Sequence, residues 1–167
     1  MILNHRLLPF FFGMASLLVM SHSNGGIDID GVLDEPEWAD AREFNDFVSV
    51  VPLTGSPAKY ATRVRVIANE DGIFFGFENY QPAEVKRIRR QFARDADVDA
   101  DRNIVSIDFE GNALVGYSFV VGSANSRQDA TLTNTKYSNA WDGRWYSQTH
   151  EDGEYWYSEI HIPWTVA

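Results

Sequence analysis

Cysteine is absent from this chain of 167 residues, and basic residues are few. Without cysteine no disulfide can stabilise the fold, and no thiolate can act as a nucleophile or a metal ligand. The 14 lysines and arginines face 24 aspartates and glutamates, which gives a net charge of −10. Nucleic acids and anionic membranes attract basic surfaces, so the acidic balance argues against both. We therefore expect no nucleic-acid partner.

Catalytic motifs are absent as well. The chain contains no G-x-S-x-G, no H-E-x-x-H and no P-loop sequence. Only His150 and His161 lie beyond residue 23, on one predicted hairpin and not opposite each other. All three methionines lie before residue 23, which leaves poor axial ligands for haem. The sequence predicts a protein that is not an enzyme.

Residues 1–23 are typical of a cleaved secretory signal. Arg6 precedes an apolar run of 14 residues, Leu7 to Met20, and small residues follow near Ser23. This run is shorter than the roughly 20 residues that span a bilayer, which favours a signal over a membrane anchor. We expect an exported protein, located in the periplasm, in the outer membrane or outside the cell.

Residues 24–167 are long enough for one domain with a sizeable core and too short for two. Runs in which apolar and polar residues alternate are separated by turn sequences such as Glu-Asp-Gly, which predicts hairpins over 61–78, 102–122 and 143–164. Gly76 lies on the outer face of one predicted strand. Because glycine has no side chain, we expect another group to approach the backbone closely there. Eight or nine strands at this spacing predict an all-β fold, an antiparallel β-sandwich of jelly-roll type. The basic segment 83–94 is predicted either as helical turns or as a bulged strand.

The stretch IDIDGVLDEPEW opens this domain. Ile27 and Ile29 alternate with aspartates, a pattern typical of a half-buried strand. Asp34 followed three residues later by Glu37 has the spacing of a capping box, which predicts one short N-terminal helix. Trp38 is expected to face the core.

This opening stretch, with its IDG-x-LDE-x-x-W pattern, resembles the start of family 9 carbohydrate-binding modules. It is more similar to a related module at the N-terminus of an uncharacterised family of bacterial outer-membrane proteins, in which a long β-barrel follows. Later blocks occur in that family's order: PLTGSPA (52–58), TRVRVIANEDGIFFGFENYQP (62–82), IVSIDF (104–109), YSFVVGSANSRQDA (117–130), WDGRW (141–145) and WYSEIHIPW (156–164). The resemblance implies a carbohydrate-binding β-sandwich, which either stands alone or belongs to a longer chain with a C-terminal β-barrel or enzyme domain as its partner.

A sugar site needs exposed aromatic rings, which stack on the apolar face of a pyranose, beside side chains that hydrogen-bond its hydroxyls. Family 9 modules clamp a sugar between aromatic rings, and the resemblance points to Trp141, in a polar loop, as one wall. Its implied hydrogen-bonding partners are Asn139, Gln128 and Arg90, and the second wall is Tyr80 or Phe92. We expect non-catalytic carbohydrate binding, and the alternative is a periplasmic or surface domain that docks against its own barrel without a sugar.

Calcium is the expected cofactor if there is one. Alternating aspartates in RDADVDADRN resemble the start of a calcium loop, because hard cations bind several carboxylate oxygens. Arg102 stands where an EF-hand requires glycine, so only an irregular structural site is expected. Its ligands would be Asp97, Asp99 and Asp101, or else Asp30, Asp34 and Glu35 in the opening stretch.

Overall fold

A computed structural model describes residues 26–96 and 99–167, and these fold mainly into antiparallel β-strands. The predicted all-β class is confirmed, whereas the predicted signal at 1–23 lies outside the described residues. Within the described ranges, no helix is long and apolar enough to cross a membrane. The strands are β1 (Arg42–Phe44), β2 (Val48–Val50), β3 (Leu53–Pro57), β4 (Thr62–Ala68), β5 (Gly72–Tyr80), β6 (Arg102–Ile107), β7 (Gly116–Gly122), β8 (Arg127–Thr133), β9 (Lys136–Ser138), β10 (Tyr146–Asp152) and β11 (Tyr155–Pro163).

The strands form three sheets. One has five strands in the order β1-β4-β5-β11-β10, one has four in the order β6-β7-β8-β9, and β2 pairs with β3 alone. The three predicted hairpins correspond to β4–β5, β6–β7 and β10–β11. His150 pairs with Tyr157 and His161 with Tyr146, so the two histidines do not meet, as predicted.

One cluster of buried side chains joins the five-stranded and four-stranded sheets. Because side chains alternate along a strand, each sheet presents one apolar face to this cluster. Trp145 and Trp156 are buried. The cluster includes Val64, Phe77, Ile160 and Ile162 from the larger sheet and Val105, Phe119 and Val121 from the smaller one.

A pair of buried amides also connects the two sheets. The side chains of Asn79 on β5 and Asn103 on β6 donate to each other's oxygens at 3.1 and 3.0 Å. The hydroxyl of Ser158 on β11 donates to the same Asn103 oxygen at 2.9 Å. A buried amide without a partner is costly, so this reciprocal pairing favours one alignment of the two sheets.

The opening stretch differs from its prediction. Ile27 is buried, but residues 27–30 form no strand, and the predicted helix is a 3-10 helix of five residues, Pro36–Asp40. Its N-cap is Glu35, with no side-chain cap, and not Asp34 as predicted. The Glu35 carboxylate is engaged elsewhere, because it accepts hydrogen bonds from the Asp28 N–H and the Trp38 indole, each at 3.0 Å.

Buried Glu159 on β11 holds this opening loop against the outer face of the five-stranded sheet. One carboxylate oxygen accepts the backbone N–H of Asp30 at 3.0 Å and of Gly31 at 2.7 Å, and the other accepts the Trp38 indole N–H at 3.3 Å. Burial raises the pKa of Glu159 to about 7, although its bonds from the two backbone N–H groups oppose that shift. The side-chain oxygens of Glu159 are thus the hydrogen-bond acceptors around which the loop is arranged.

Gly76 lies beside Glu159 in the sheet and leaves room for the loop. A β-carbon at this position would lie 2.6 Å from Leu33 Cδ2 and 3.1 Å from Trp38 Cη2. The close approach predicted at Gly76 is thus confirmed, and the approaching residues are the apolar side chains of the opening loop. Trp38 is only 3% exposed as a result.

We expect Gly76→Ala to destabilise the domain by about 1–3 kcal/mol. The added methyl group would clash with Leu33 and Trp38, where the opening loop packs on the sheet. Urea unfolding followed by tryptophan fluorescence measures the change. Gly116→Ala is the matched control, since its nearest neighbour would be 3.6 Å away and no shift is required. Equal effects of the two substitutions would contradict the assigned packing.

The stability of the folded state should fall as pH rises from about 4.5 to 7. The folded state keeps a proton on Glu159 that the unfolded chain has already lost, so the contribution of Glu159 is complete below pH 4.5 and is lost as pH passes 7. We expect this contribution to be about 1–3 kcal/mol after allowance for solvent screening.

Glu159→Gln provides the test, because its amide oxygen can still accept both backbone N–H groups but does not titrate. Denaturant unfolding at several pH values should show a shallower pH dependence in this variant than in the wild type. If the free energy of unfolding changes with pH equally in the variant and in the wild type, groups other than Glu159 cause the pH dependence.

Candidate functional site

A cavity of about 290 Å³ lies on the outer face of the four-stranded sheet. Val105 and Phe119 point into the core, so their strand neighbours Ile104 and Ser118 point outward into the cavity. Strands β6 to β9 form its floor. The lining residues are Asp95, Arg102, Ile104, Ser118, Val120, Gln128, Tyr137 and Asn139.

The cavity exists because an irregular segment crosses this face of the sheet. The segment 83–94, predicted as helical turns or a bulged strand, contains neither a helix nor a strand. Its backbone groups bond to the loop between β7 and β8 instead: the Phe92 N–H donates to the Ser126 hydroxyl at 3.2 Å, and that hydroxyl donates to the Arg90 carbonyl at 3.0 Å. The Gln128 amide donates to the Ala96 carbonyl. Asp95, which directly follows this segment, lines the cavity.

Two of the predicted sugar-binding residues meet in this cavity. Gln128 on β8 and Asn139 just beyond β9 both line it. Arg90 does not, although its carbonyl helps to anchor the crossing segment. Tyr80 lies on the other sheet, where its ring packs 5.3 Å from that of Tyr155.

Trp141 does not line this cavity, and its role as one wall of a sugar site stays a prediction. Its indole packs inward, with ring centroids 4.8 Å from Tyr117 and 5.9 Å from Phe119. The loop permits this because Gly143 has no side chain: a β-carbon there would lie 2.4 Å from Trp141 Cη2. The indole is therefore half-buried against the core rather than displayed in the loop.

Tyr137, which sequence reasoning missed, is the aromatic residue of the cavity. It is 55% exposed, and strand pairing places it opposite Leu132 on the same outer face as Gln128. Thr133 pairs with Lys136 at the end of this hairpin. Counting residue pairs of the β8–β9 hairpin from this turn assigns Tyr137 to the same face as Gln128.

A buried ion pair lies behind the cavity. Asp129 on β8 is fully buried, and its two oxygens accept three hydrogen bonds from the Arg94 guanidinium at 2.7–3.0 Å. It also accepts the Gly143 N–H at 2.6 Å. The pair therefore ties the crossing segment and the Trp141 loop to one strand.

Asp95 connects this ion pair to the cavity. It adopts a left-handed backbone conformation (φ 63°), and its carboxylate accepts the Asp129 N–H at 2.9 Å. Burial raises the pKa of Asp95, and the nearby negative charge of Asp129 raises it further. The cavity thus has a carboxyl group whose position is set by the backbone.

Three carboxylates in this region could hold a metal ion by distance alone: oxygens of Asp95, Asp129 and Asp142 lie within 4.8 Å of one another. The Arg94 guanidinium already pairs with these carboxylates: it lies 3.2 Å from Asp142 and 3.9 Å from Asp95, and it bonds to Asp129. Calcium prefers 6–8 oxygen ligands and no adjacent cation. With Arg94 in place, these residues do not fit a calcium ion.

Among residues 26–96 and 99–167, the predicted calcium ligands form no such set either. Asp97 lies outside the described residues, Asp99 is exposed, and Asp101 accepts the Ile88 N–H at 2.7 Å. In the alternative set, Asp30 accepts the Val32 N–H at 2.8 Å. Calcium binding therefore stays a prediction.

Comparisons with protein-family models, curated proteins and solved structures find no match to this chain. The resemblance to family 9 modules accordingly stays a prediction from the sequence. The functional interpretation therefore rests on the chemistry of the cavity on the four-stranded sheet.

We expect Arg94→Ala to destabilise the domain by about 2–4 kcal/mol, because it leaves the buried Asp129 carboxylate without its counter-ion. Arg89→Ala is the control. Arg89 also pairs with a carboxylate, Glu151 at 3.0 Å, but it is largely exposed, so its loss should cost less than about 1 kcal/mol. Urea unfolding measures both, and similar costs would contradict the anchoring role of Arg94.

Proposed function

We propose that this protein is a non-catalytic carbohydrate-binding module, and that a sugar binds in the cavity on the outer face of the four-stranded sheet. The observation that carries the proposal is the exposed ring of Tyr137 beside a rim of amide and charged side chains. The ring offers a surface for the C–H face of a pyranose, and the rim offers both donors and acceptors for its hydroxyls.

The rim is suited to hydroxyl groups. Asn139 has an exposed amide, which can donate to one hydroxyl and accept from another. Arg102 adds guanidinium N–H groups, and Asp95 adds a carboxylate. Ile104, 53% exposed, extends the apolar surface next to these groups. This mixture of one ring, one apolar side chain and several polar groups fits an uncharged polyol.

The size of the cavity favours a short ligand. Its volume of about 290 Å³ is at the lower end of the roughly 300–1,000 Å³ typical of small-molecule sites. We propose that it accommodates one sugar ring, or the end of a chain whose remaining units extend into solvent.

We further propose that the fold is a β-sandwich of jelly-roll type, as the resemblance to family 9 modules implies. Support comes from the single apolar cluster and the Asn79–Asn103 amide pair, which both join the two larger sheets. The 3-10 helix at Pro36–Asp40 takes the place of the short N-terminal helix. Export of the protein is part of the same proposal and rests on the signal-like residues 1–23.

Docking against a β-barrel domain is the second candidate function, and an apolar cleft favours it. The cleft has a volume of about 390 Å³ and is lined by Phe44, Phe47, Val64, Val66, Phe75 and Ile104, among others. The adjacent β2–β3 hairpin exposes Val50 and Leu53. Exposed apolar surface of this kind is typical of protein interfaces.

Tyr137→Ala should weaken sugar binding at least about tenfold, because it removes the stacking surface. Isothermal titration calorimetry with a panel of soluble oligosaccharides measures the affinity. Tyr146→Ala is the matched control: Tyr146 is also exposed but lies on the other sheet, so affinity should be unchanged. Trp141→Ala should lower stability instead, because its indole packs on the core.

The two candidate functions give different results. Docking would be favoured if no glycan gives a heat of binding and the protein associates with a separately added barrel domain. Binding that survives Tyr137→Ala but is lost in Tyr146→Ala would place the sugar on the opposite face.

A further inference from the structure

The cavity on the four-stranded sheet has an exposed rim and a buried floor. Tyr137 and Ile104 at the rim are 55% and 53% exposed. Ser118 and Gln128, which line the same cavity, are only 4% and 7% exposed. A sugar ring that stacks on Tyr137 therefore lies at the rim, and only a substituent of that ring reaches the floor.

The Ser118 hydroxyl is a buried polar group at this floor. Among residues 26–96 and 99–167, no hydrogen bond involves Ser118 Oγ. The residues that pair with Ser118 are Ala130 on β8 and Ser106 on β6, and both are too small to cover the hydroxyl. A buried hydroxyl without a partner costs free energy, and a ligand group that bonds to it recovers that cost. Ser118 thus points to a ligand that extends to the floor.

Gln128 adds an acceptor to the floor. Its side-chain NH₂ group donates to the Ala96 carbonyl, and because a carbonyl oxygen only accepts, this bond fixes the orientation of the amide. Within the two described ranges, the Oε1 atom of Gln128 accepts no hydrogen bond. The floor thus offers one hydroxyl and one amide oxygen to a ligand.

These two polar groups lie on different strands, with an apolar side chain beside them. Val120 pairs with Gln128, and Ser118 lies two residues before Val120 on the same face of β7. Ser118 and Gln128 are therefore diagonal neighbours, which lie about 7–8 Å apart on one face of an antiparallel pair. Val120 is buried and lines the cavity between them. A complementary group is short, carries an acceptor and a donor on opposite sides, and has an apolar end.

An acetamido group has these properties. Its amide is planar and trans, so that the C=O and the N–H point to opposite sides. The C=O can accept from the Ser118 hydroxyl, the N–H can donate to Gln128 Oε1, and the methyl group can contact Val120. A hydroxyl or hydroxymethyl group has a single polar atom and no apolar end, so it matches the floor less well.

We propose that this cavity selects sugars with an acetamido group at carbon 2, and that Ser118, Val120 and Gln128 determine this specificity; the proposal rests on the carbohydrate-binding function proposed above. The sugar ring stacks on Tyr137 at the rim, and its acetamido group extends to the floor. The ligand class is thus narrowed from uncharged sugars in general to N-acetylated amino sugars.

Isothermal titration calorimetry of the purified protein with N,N′-diacetylchitobiose and with cellobiose tests the proposal. The two disaccharides share their linkage and differ only in having an acetamido or a hydroxyl group at carbon 2. Diacetylchitobiose should bind at least about tenfold more tightly, because the analogue without the acetamido group leaves buried polar groups unpaired.

Ser118→Ala should reduce this preference at least about threefold by weakening the binding of diacetylchitobiose and not that of cellobiose. Ser106→Ala is the matched control. Ser106 pairs with Ser118 across β6 and β7, but it is exposed and is not part of the cavity lining, so both affinities should be unchanged. Thermal unfolding of both variants checks that they are folded.

Saturation-transfer NMR on the wild-type protein gives a test that needs no variant. The acetyl methyl protons of diacetylchitobiose should receive more saturation than the ring protons, because the methyl group contacts Val120 on the buried floor. Strong saturation of the ring protons with little at the methyl group would overturn the proposal.

The specificity and the underlying function can fail separately. If cellobiose binds as tightly as diacetylchitobiose and Tyr137→Ala abolishes the binding of both, sugar binding at the cavity stands and the acetamido specificity is wrong. An unchanged preference in Ser118→Ala also overturns the assigned specificity. If no oligosaccharide of the panel binds, the carbohydrate-binding function itself is wrong, and the specificity with it.

Discussion

The carboxylate of Glu159 holds together parts of the chain that are distant in sequence. It lies on an interior strand of the five-stranded sheet, and it accepts hydrogen bonds from the backbone of Asp30 and Gly31. A buried carboxylate is costly unless donors surround it, so the opening loop and Glu159 require each other. Gly76 supplies the space next to it for Leu33 and Trp38.

The other large sheet repeats this arrangement. A segment without regular structure crosses its outer face, and a buried carboxylate, that of Asp129, anchors the segment through Arg94. In each case the anchored segment covers part of the sheet and leaves a cavity beside it. Both cavities are therefore consequences of how the outer face of a sheet is partly covered, and neither belongs to the apolar core.

Local patterns accounted for the strands but not for the sites. Alternation and Glu-Asp-Gly turns predicted the hairpins, and Trp38, which the sequence places in the core, is buried. Gln128 and Asn139 were placed in the candidate site, and both line the same cavity. The packing of the Trp141 indole could not be predicted, because a polar loop sequence does not reveal that the ring folds back over Gly143.

The sequence by itself determined the all-β class, the main hairpins and the acidic character, because these depend on residue type and on spacing between near neighbours. Only the tertiary structure decided which aromatic ring reaches solvent and which acids are buried. The Trp141 indole packs on Tyr117 of β7, and Glu159 is buried by a loop 128 residues earlier in the chain. Contacts over such separations follow from how whole sheets pack, which no local pattern encodes.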